Sequence, residues 1–337
     1  MIPLSILDLS PVVTGAPAAQ ALRNTLDLAR AADALGYTRY WLAEHHNMPT
    51  IASCAPEIMI GQVAAQTRRI RVGSGGVMLP NHAPLMVAER FKVLEALYPG
   101  RIDLGLGRAP GTDQITSYAL RRRQDVSEAD DFLDRFHELM LLETRAFPPG
   151  HPYHAIRAMP ADVPLPPIWL LGSSDYSARL AAQIGARFAF AAHFSNFNPA
   201  APMRLYRDGF RPSSQLQTPC AMLTMAVICA DTAAEAERLA TSADLHFVRR
   251  AKGEYLPLAS PEEAAAYDYA PIDRERIAQH RQRLVVGAPD SVRQRLEAVI
   301  AETQADELMI TTMVHNHAAR VRSYELLAQT FGLTPAS

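Results

Sequence analysis

The sequence has few cysteines and almost no net charge. Its three cysteines, Cys54, Cys220 and Cys229, are far apart and form no C-x-x-C pair. This argues against a disulfide framework or a cysteine-rich metal site and favours a reducing compartment. The formal net charge of the 337 residues is −2, so neither nucleic acid nor an acidic membrane is indicated as a partner. We therefore expect a cytoplasmic protein.

Long apolar runs and export signals are also missing. No apolar run reaches the length of about 18 residues that a membrane span needs. The N-terminus opens on an apolar, strand-like segment and lacks the basic region and cleavage site of a signal peptide. The sequence therefore predicts neither a membrane span nor export.

What the sequence does contain is a regular alternation of strand-like and helix-like segments. Strands are predicted over residues 4–12, 38–46, 70–79, 101–108, 167–172, 187–194, 221–229 and 307–314. Helices are predicted over residues 18–35, 56–66, 84–97, 178–185, 232–249 and 318–331, with a further one starting at Ser127. Eight strands with intervening helices predict a single α/β domain over residues 1–337, a (β/α)8 TIM barrel. A doubly wound open sheet is the competing architecture, but the phosphate fingerprint expected after its first strand is missing.

Two segments do not fit the alternation. Residues 109–126 are predicted to form a polar loop. Residues 251–285, after the seventh strand, are long and mixed in charge, and their tyrosines and prolines are typical of an ordered insertion. Because this insertion follows a barrel strand, we expect it on the face where barrel active sites lie.

The first stretch whose side chains could take part in catalysis is W-L-A-E-H-H, residues 41–46. Strand alternation places Trp41, Ala43 and His45 on one face and Glu44 on the other. A histidine at the C-terminal end of a barrel strand lies at the catalytic rim, where it can move a proton near neutral pH. The alternative is that His45 or His46 only hydrogen-bonds a loop carbonyl.

Two glycine-rich stretches follow, V-G-S-G-G-V-M-L-P at residues 72–80 and P-G-R-I-D-L-G-L-G-R at 99–108. Glycines at a strand end let the backbone approach a flat ligand, although a bulge in a crowded barrel is the alternative. Gly105 and Gly107 are predicted to face the barrel axis and leave room for a planar ring. Arg108 follows at the rim, where its cation can meet a phosphate or form a surface salt bridge.

The fourth stretch is G-S-S-D-Y-S, residues 172–177, which joins the fifth strand to a helix. Free backbone N–H groups and serine hydroxyls at a helix N-terminus make an anion site. Ordinary N-capping by Ser174 or Asp175 is the alternative.

Together, and in this order, the four stretches resemble the bacterial luciferase-like flavin-dependent monooxygenases, and W-L-A-E-H-H is the most specific of them. The stretch V-G-A-P-D-S-V at residues 286–292 resembles a late turn of the family. The resemblance covers nearly the whole chain. It implies a barrel that binds reduced FMN across the C-terminal ends of its strands, with O2 and a small organic molecule as the other substrates. It also implies a separate NAD(P)H:flavin reductase as partner and a homodimer formed through early barrel helices.

The resemblance also carries over residue by residue. His45 matches the catalytic histidine, and Gly75 and Gly76 match a non-proline cis peptide behind the flavin ring. Gly107 matches the position beside the reactive face of the flavin, which is a cysteine in the bacterial luciferase α subunit, so light emission is not implied. The residues expected around the cofactor phosphate are Arg108, Ser173, Ser174, Tyr176 and Ser177.

His46 and His193 are further candidates for the lining of the substrate pocket. The insertion at about residues 251–285 resembles the mobile lid of the family.

Three other functions remain open. A dehydrogenase that uses the deazaflavin F420 would keep the fold, and a non-catalytic flavin-binding protein would keep the cofactor. A metal-dependent hydrolase could use His45, His46, His82 and His193. That hydrolase would be expected to carry an H-x-H motif on the first strand, and none is present, so no metal site is predicted.

Overall fold

The protein forms a closed parallel barrel. The computed structural model describes residues 2–109, 111–121 and 131–334. The strands of these residues are β1 (Leu4–Asp8), β2 (Arg39–Leu42), β3 (Arg71–Ser74), β4 (Val77–Met78), β5 (Ile102–Gly107), β6 (Ile168–Gly172), β7 (Arg187–Ala191), β8 (Ala221–Cys229), β9 (Leu284–Gly287) and β10 (Glu307–Thr311). Strands β1, β2, β3, β5, β6, β7, β8 and β10 pair in that order, and β10 pairs with β1 to close the barrel. The predicted (β/α)8 TIM barrel is confirmed.

Helices connect the strands and cover the outside of the barrel. They are α1 (Ala18–Leu35), α2 (Pro56–Gln66), α3 (Pro84–Leu97), α4 (Gln114–Arg121), α5 (Asp131–Thr144), α6 (Asp175–Ile184), α7 (Ala200–Gly209), α8 (Ala233–Ala251), α9 (Pro261–Ala265), α10 (Pro271–Arg281), α11 (Pro289–Thr303) and α12 (His317–Thr330). Local sequence explains several of their ends. Proline occupies the first position of α2 and α3, where no backbone N–H is needed. Gly36 ends α1 in the left-handed conformation at φ 87°.

Inward-facing side chains fill the barrel, so it has a packed interior. A buried apolar cluster on the axis includes Leu7, Trp41, Trp169, Met222 and Met309. Towards the N-terminal end of the barrel lies a charged layer, in which Asp103 accepts bonds of 2.7 Å from the guanidinium groups of Arg39 and Arg71. These bonds close the bottom of the barrel and leave the C-terminal rim as the open end.

Several predicted elements have different bounds in the structure. The third predicted strand is divided into β3 and β4 by the Gly75–Gly76 peptide. The predicted loop 109–126 contains α4, because Asp113 accepts a hydrogen bond of 2.9 Å from the Thr116 N–H and so begins a helix. The predicted start of the fifth helix at Ser127 lies outside the described residues. The sequence pattern also missed α7, α11 and β9.

The insertion is built on the outer half of β8. Residues 222–226 of this strand pair with β10 in the barrel, whereas residues 226–229 pair with β9. Helices α8 and α10 pack against this extension, and α9 packs against α8. Leu258 donates its N–H to the Val12 carbonyl in the loop after β1 at 2.8 Å. The insertion therefore lies at the C-terminal face of the barrel.

Candidate functional site

His45 lies at the C-terminal rim, three residues after β2 ends. Its backbone N–H donates to the Ser53 carbonyl at 2.9 Å, which fixes the loop. The ring is enclosed by protein yet keeps some accessible surface, and its Nδ1 finds no hydrogen-bond partner among the described residues. Burial, together with the positive charge of Arg250, lowers the pKa of His45 to about 4. The ring is therefore neutral at pH 7 and able to accept a proton.

His193 lies near His45 on the same rim, two residues after β7 ends. Burial lowers the pKa of His193 to about 4, a backbone hydrogen bond with Thr224 opposes this shift, and the charge of His45 adds to it. Its ring packs edge-on against Phe194, with centroids 4.7 Å apart. Within the described part of the chain, its Nδ1 also has no partner. Two neutral imidazoles with unpartnered Nδ1 atoms therefore lie at the C-terminal end of the barrel.

Glu44 points away from His45 and joins three other groups. One oxygen of its carboxylate accepts a hydrogen bond of 2.8 Å from Nε2 of His46 and another of 2.8 Å from Nε2 of His82. The other oxygen accepts the backbone N–H of Met78 at 2.8 Å. Burial raises the pKa of Glu44, but these bonds outweigh burial and hold the pKa at about 2. A buried carboxylate thus fixes the loop after β2 relative to the end of β4 and the segment that follows it.

Glycine backbone forms a floor at the ends of β3 and β5. The peptide bond between Gly75 and Gly76 is cis, as the resemblance implies. A Cβ atom added to Gly76 would lie 2.8 Å from the Gly105 carbonyl oxygen, and one added to Gly107 would lie 2.9 Å from the Met78 sulfur. No larger residue fits without displacing its neighbours, so this floor stays flat and free of side chains.

Arg108 follows this floor and holds its cation at the rim. Its guanidinium lies over the ring of Tyr176, 4.5 Å from the centroid. Among the residues that the structure describes, it forms no ion pair or hydrogen bond. The surface salt bridge considered above is therefore not present in this part of the chain, and the donors of Arg108 are free for an anion.

The N-terminus of α6 lies beside Tyr176. Ser174 is the N-cap residue, but its hydroxyl makes no capping hydrogen bond. The carbonyl of Ser173 accepts the Ser195 hydroxyl at 2.8 Å, which ties this turn to the loop after β7. Backbone N–H groups of the first helical turn, with the hydroxyls of Ser174 and Ser177 close by in sequence, make a site that suits a phosphate.

The insertion is attached to loops on two sides of this rim. The guanidinium of Arg283 donates to the carbonyl oxygens of Phe194 at 2.9 Å and of Ser195 at 3.2 Å, after β7. The Thr14 hydroxyl, after β1, donates to Glu263 of the insertion at 2.7 Å. The same hydroxyl lies 3.3 Å from Nε2 of His315, so the loop after β10 meets the loop after β1 at this point. The insertion therefore borders the mouth of the barrel next to His45 and His193.

The described ranges contain no group of three or more histidine, cysteine or carboxylate side chains placed to hold a metal ion. In the same ranges no helix is long and apolar enough to cross a membrane.

Comparison with known proteins decides the family. A family model described as luciferase-like monooxygenase matches residues 3–307. The chain belongs to the luciferase-like monooxygenase family. This match confirms the resemblance. Because the family consists of monooxygenases, the luciferase-like chain is an oxidoreductase.

Curated relatives of this luciferase-like chain match over nearly their full length. It is 46% identical to the protein YvbT of Bacillus subtilis (strain 168), over 97% of this chain and 96% of the relative. It is 45% identical to the luciferase-like monooxygenase of Escherichia coli (strain K12), over 96% of each. It is 37% identical to the N-acetyl-S-alkylcysteine monooxygenase of Bacillus subtilis, over 97% of this chain and 98% of the relative.

Solved structures share the luciferase-like fold. Apo-MsnO8 superposes with a TM-score of 0.91 and 38% identity over 100% of both chains. The oxygenating constituent of 3,6-diketocamphane monooxygenase from Pseudomonas putida, solved in complex with FMN, has a TM-score of 0.73 and 20% identity over 98% and 97% of the two chains. An F420-dependent secondary alcohol dehydrogenase has a TM-score of 0.71 and 11% identity over 98% of both.

The structure brings most of the predicted site residues of this luciferase-like protein to one rim. His45 and His193 lie near each other, and Arg108 stacks on Tyr176. His46 was predicted to line the substrate pocket, but its Nε2 is bonded to Glu44.

Sequence reasoning missed the role of Glu44 and of His82, which lies 36 residues further along the chain than His46. Strand alternation did indicate that Glu44 faces away from His45. No local pattern could show that its carboxylate meets His82.

Proposed function

We propose that this protein is an FMN-dependent monooxygenase that acts in the cytoplasm on a small organic substrate. It takes O2 and reduced FMN, and a separate NAD(P)H:flavin reductase supplies the FMN. The observation that carries the proposal is the free guanidinium of Arg108, held on Tyr176 beside the N-terminus of α6. A cation and helix N–H groups at one point of the rim suit the phosphate of FMN.

The residues present fit this cofactor. Gly75, Gly76 and Gly107 form a floor that a side chain would fill, and such a floor suits a flat ring. Arg108, Tyr176 and the serines of the G-S-S-D-Y-S stretch, Ser173, Ser174 and Ser177, would hold the phosphate. When bound, reduced FMN supplies the activation of O2.

His45 manages the proton in this proposal. Its Nδ1 has no partner among the described residues, and its lowered pKa keeps the ring neutral. It can therefore accept a proton at Nδ1 at neutral pH and return it later.

The insertion, residues 251–285, acts as the lid in this proposal. Its contacts with the loops after β1 and β7 support this role, because an element that borders the rim can exclude water from it.

The test is an anaerobic titration of the purified protein with reduced FMN, followed by mixing with O2 while the flavin absorbance is recorded. We expect saturable binding and a transient flavin species that decays more slowly than free reduced FMN oxidises. If FMN binds in neither redox state, the proposal is wrong, and the same titration with F420 decides for the dehydrogenase. Binding without turnover of any substrate would favour a non-catalytic flavin-binding protein.

The substrate search can start from one relative. Because a protein 37% identical is an N-acetyl-S-alkylcysteine monooxygenase, small thioethers with an N-acetylated amino acid head form the first panel. Sulfoxide formation and flavin-dependent O2 consumption would be measured together, so that uncoupled oxidation is recognised.

A homodimer is part of the same proposal. On α3, Met86, Val93 and Leu97 form an exposed stripe at helical spacing, with 49%, 47% and 65% of their surfaces accessible. Ile58 of the neighbouring α2 is 64% accessible. Exposed apolar residues on two neighbouring early barrel helices suit pairing with a second copy.

A further inference from the structure

Met78 places a thioether at the proposed flavin site, and the proposed function does not use it. Met78 is the last residue of β4 and pairs with Gly107 of β5. Gly105 and Gly107 lie on one face of β5, and the alternating residues Leu104 and Leu106 lie on the other, in the apolar core outside the barrel. The open side of Gly107 therefore faces the interior of the barrel.

The sulfur of Met78 lies on this open side. A Cβ atom added to Gly107 would lie 2.9 Å from the sulfur and 3.4 Å from the terminal methyl carbon of Met78. A Cβ atom added to Gly111 would lie 3.1 Å from Cγ of the same side chain. The side chain therefore lies between two glycines, at the edge of the floor formed by Gly75, Gly76 and Gly107.

The position of Met78 is fixed, yet part of its surface is accessible. Its backbone N–H donates to the buried carboxylate of Glu44 at 2.8 Å. The residue is only partly buried, so a molecule bound at the rim can reach it. Met222 and Met309, in contrast, are fully buried in the apolar cluster on the barrel axis.

A methionine thioether can take up one oxygen atom to give a sulfoxide, which makes an apolar side chain polar. In the proposed reaction, reduced FMN activates O2 on the floor that Met78 borders. An oxidant that forms in contact with this sulfur acts on it at a far higher effective concentration than on a methionine elsewhere in the chain.

We infer that Met78 is an oxidation site, and that the proposed reaction converts its thioether to the sulfoxide when no organic substrate is bound. This inference rests on the proposed function, because it uses the same O2 and reduced FMN. One oxygen atom of O2 forms the new S–O bond, and the other leaves as water with two hydrogens from reduced FMN. O2 takes two electrons from the sulfur and two from FMN, which ends oxidised. The polar sulfoxide beside the glycine floor should then weaken flavin binding.

The test follows the methionines of the full-length protein by peptide mass spectrometry. Reduced FMN is added in equal successive portions to the protein in aerated buffer without substrate, while catalase removes the hydrogen peroxide that escapes. We expect the sulfoxide at Met78 to increase with each portion. It should form at least about tenfold faster than at Met86 and Met159, although these residues are 49% and 55% exposed.

Hydrogen peroxide added without flavin is the control for a diffusing oxidant. It should oxidise the exposed Met86 and Met159 before Met78. The control variant, Met159→Leu, should leave the yield of sulfoxide at Met78 unchanged.

A second measurement is the affinity for FMN before and after the additions. The affinity of the wild type should fall at least about tenfold. Met78→Leu, which has no sulfur at this position, should keep its own starting affinity. An equal loss in both proteins would overturn the inference, because the damage would then lie elsewhere.

The inference would also be overturned if oxidation followed exposure, with Met86 and Met159 ahead of Met78. The same holds if FMN binds and O2 is consumed while Met78 stays intact. These outcomes leave the proposed function standing. If reduced FMN does not bind, the proposed function and the inference both fail.

Discussion

The guanidinium of Arg108 has an aromatic face beneath it and free donors at its edge. Because this arrangement holds a cation at one point without neutralising it, Arg108 should contribute to the binding of the phosphate and little else. Arg108→Ala is therefore expected to weaken FMN about tenfold or more and riboflavin much less. Fluorescence titration with both flavins measures the two affinities.

The control for this variant is Arg68→Ala, which removes an exposed arginine just before β3, at the opposite end of the barrel. Both flavins should bind it as they bind the wild type. Equal losses of FMN and riboflavin in Arg108→Ala would remove Arg108 from the phosphate site.

The role of His45 can be tested by measuring the rate of oxygenation and the affinity for FMN separately. His45→Ala should slow oxygenation by a factor of about 10² or more, the usual loss for a proton-transfer group, while leaving FMN affinity largely intact. Stopped-flow oxidation and equilibrium titration provide the two measurements. His137→Ala, at an exposed position of α5, is the matched control. A collapse of flavin affinity in His45→Ala would mean that the residue is structural.

Glu44 should make stability depend on pH. Its folded pKa of about 2 lies below the ordinary glutamate value of 4.5, so its contribution to stability is fully present above pH 4.5 and is lost as the pH falls towards 2. Glu44→Gln should lower the free energy of unfolding on the order of 3 kcal/mol at pH 7. The difference in the free energy of unfolding between the wild type and Glu44→Gln should shrink steadily below about pH 4.

Urea unfolding of both proteins at a series of pH values measures this difference. Glu297→Gln is the control, because its carboxylate is about half exposed in an i,i+4 pair and should contribute little. A difference for Glu44→Gln that stays constant from pH 7 to the acid limit would show that the carboxylate does not act through its charge.

At the scale of elements, sequence periodicity predicted most of the barrel. Ala221–Cys229 and Ala18–Leu35 have the predicted bounds because their apolar spacing continues to both ends. The third strand was predicted too long, since apolar spacing cannot show that the chain turns at Gly75 and Gly76. Helix α4 was missed because only one of its residues, Ser117, is buried, which leaves little hydrophobic pattern to detect.

The residues of the candidate site could be predicted only in part from the sequence. His45 could be placed because strand alternation puts it at a barrel rim. Glu44 could not be assigned a role, since two of its three partners, Met78 and His82, lie more than thirty residues away in the sequence.

Arg283 anchors the insertion to the loop after β7. Arg283 bonds to the Phe194 and Ser195 carbonyl oxygens and to the Asn196 side chain. Arg283→Met should therefore increase amide hydrogen exchange in residues 251–285 and raise the fraction of O2 released as hydrogen peroxide. Exchange mass spectrometry and a peroxide assay measure the two effects.

Arg276→Met is the matched control for this variant. Arg276 lies in the same insertion but pairs within α10, with Asp273 at 3.5 Å. Exchange and peroxide release should stay close to those of the wild type. If Arg283→Met leaves both quantities unchanged, its bonds do not hold the insertion.

At the scale of the whole molecule, the exposed stripe on α3 predicts how two copies meet. Val93→Glu places a charge in the middle of the stripe and should convert the dimer to a monomer, as measured by light scattering. Ile272→Glu changes an apolar residue of similar exposure, 50%, on α10 and should leave the mass unchanged. A wild-type mass of one chain at high concentration would contradict the proposed homodimer.

Strand β8 is shared between the barrel and the insertion, and this limits where the insertion could be exchanged for that of a relative. Its first half completes the barrel, and its second half supports the insertion through β9. A chimera that exchanged the insertion from the first residue after β8 would pair a foreign β9 with a native strand. An exchange that keeps β9 with its own partner strand must therefore begin inside β8, at about Ala226, where pairing passes from β10 to β9.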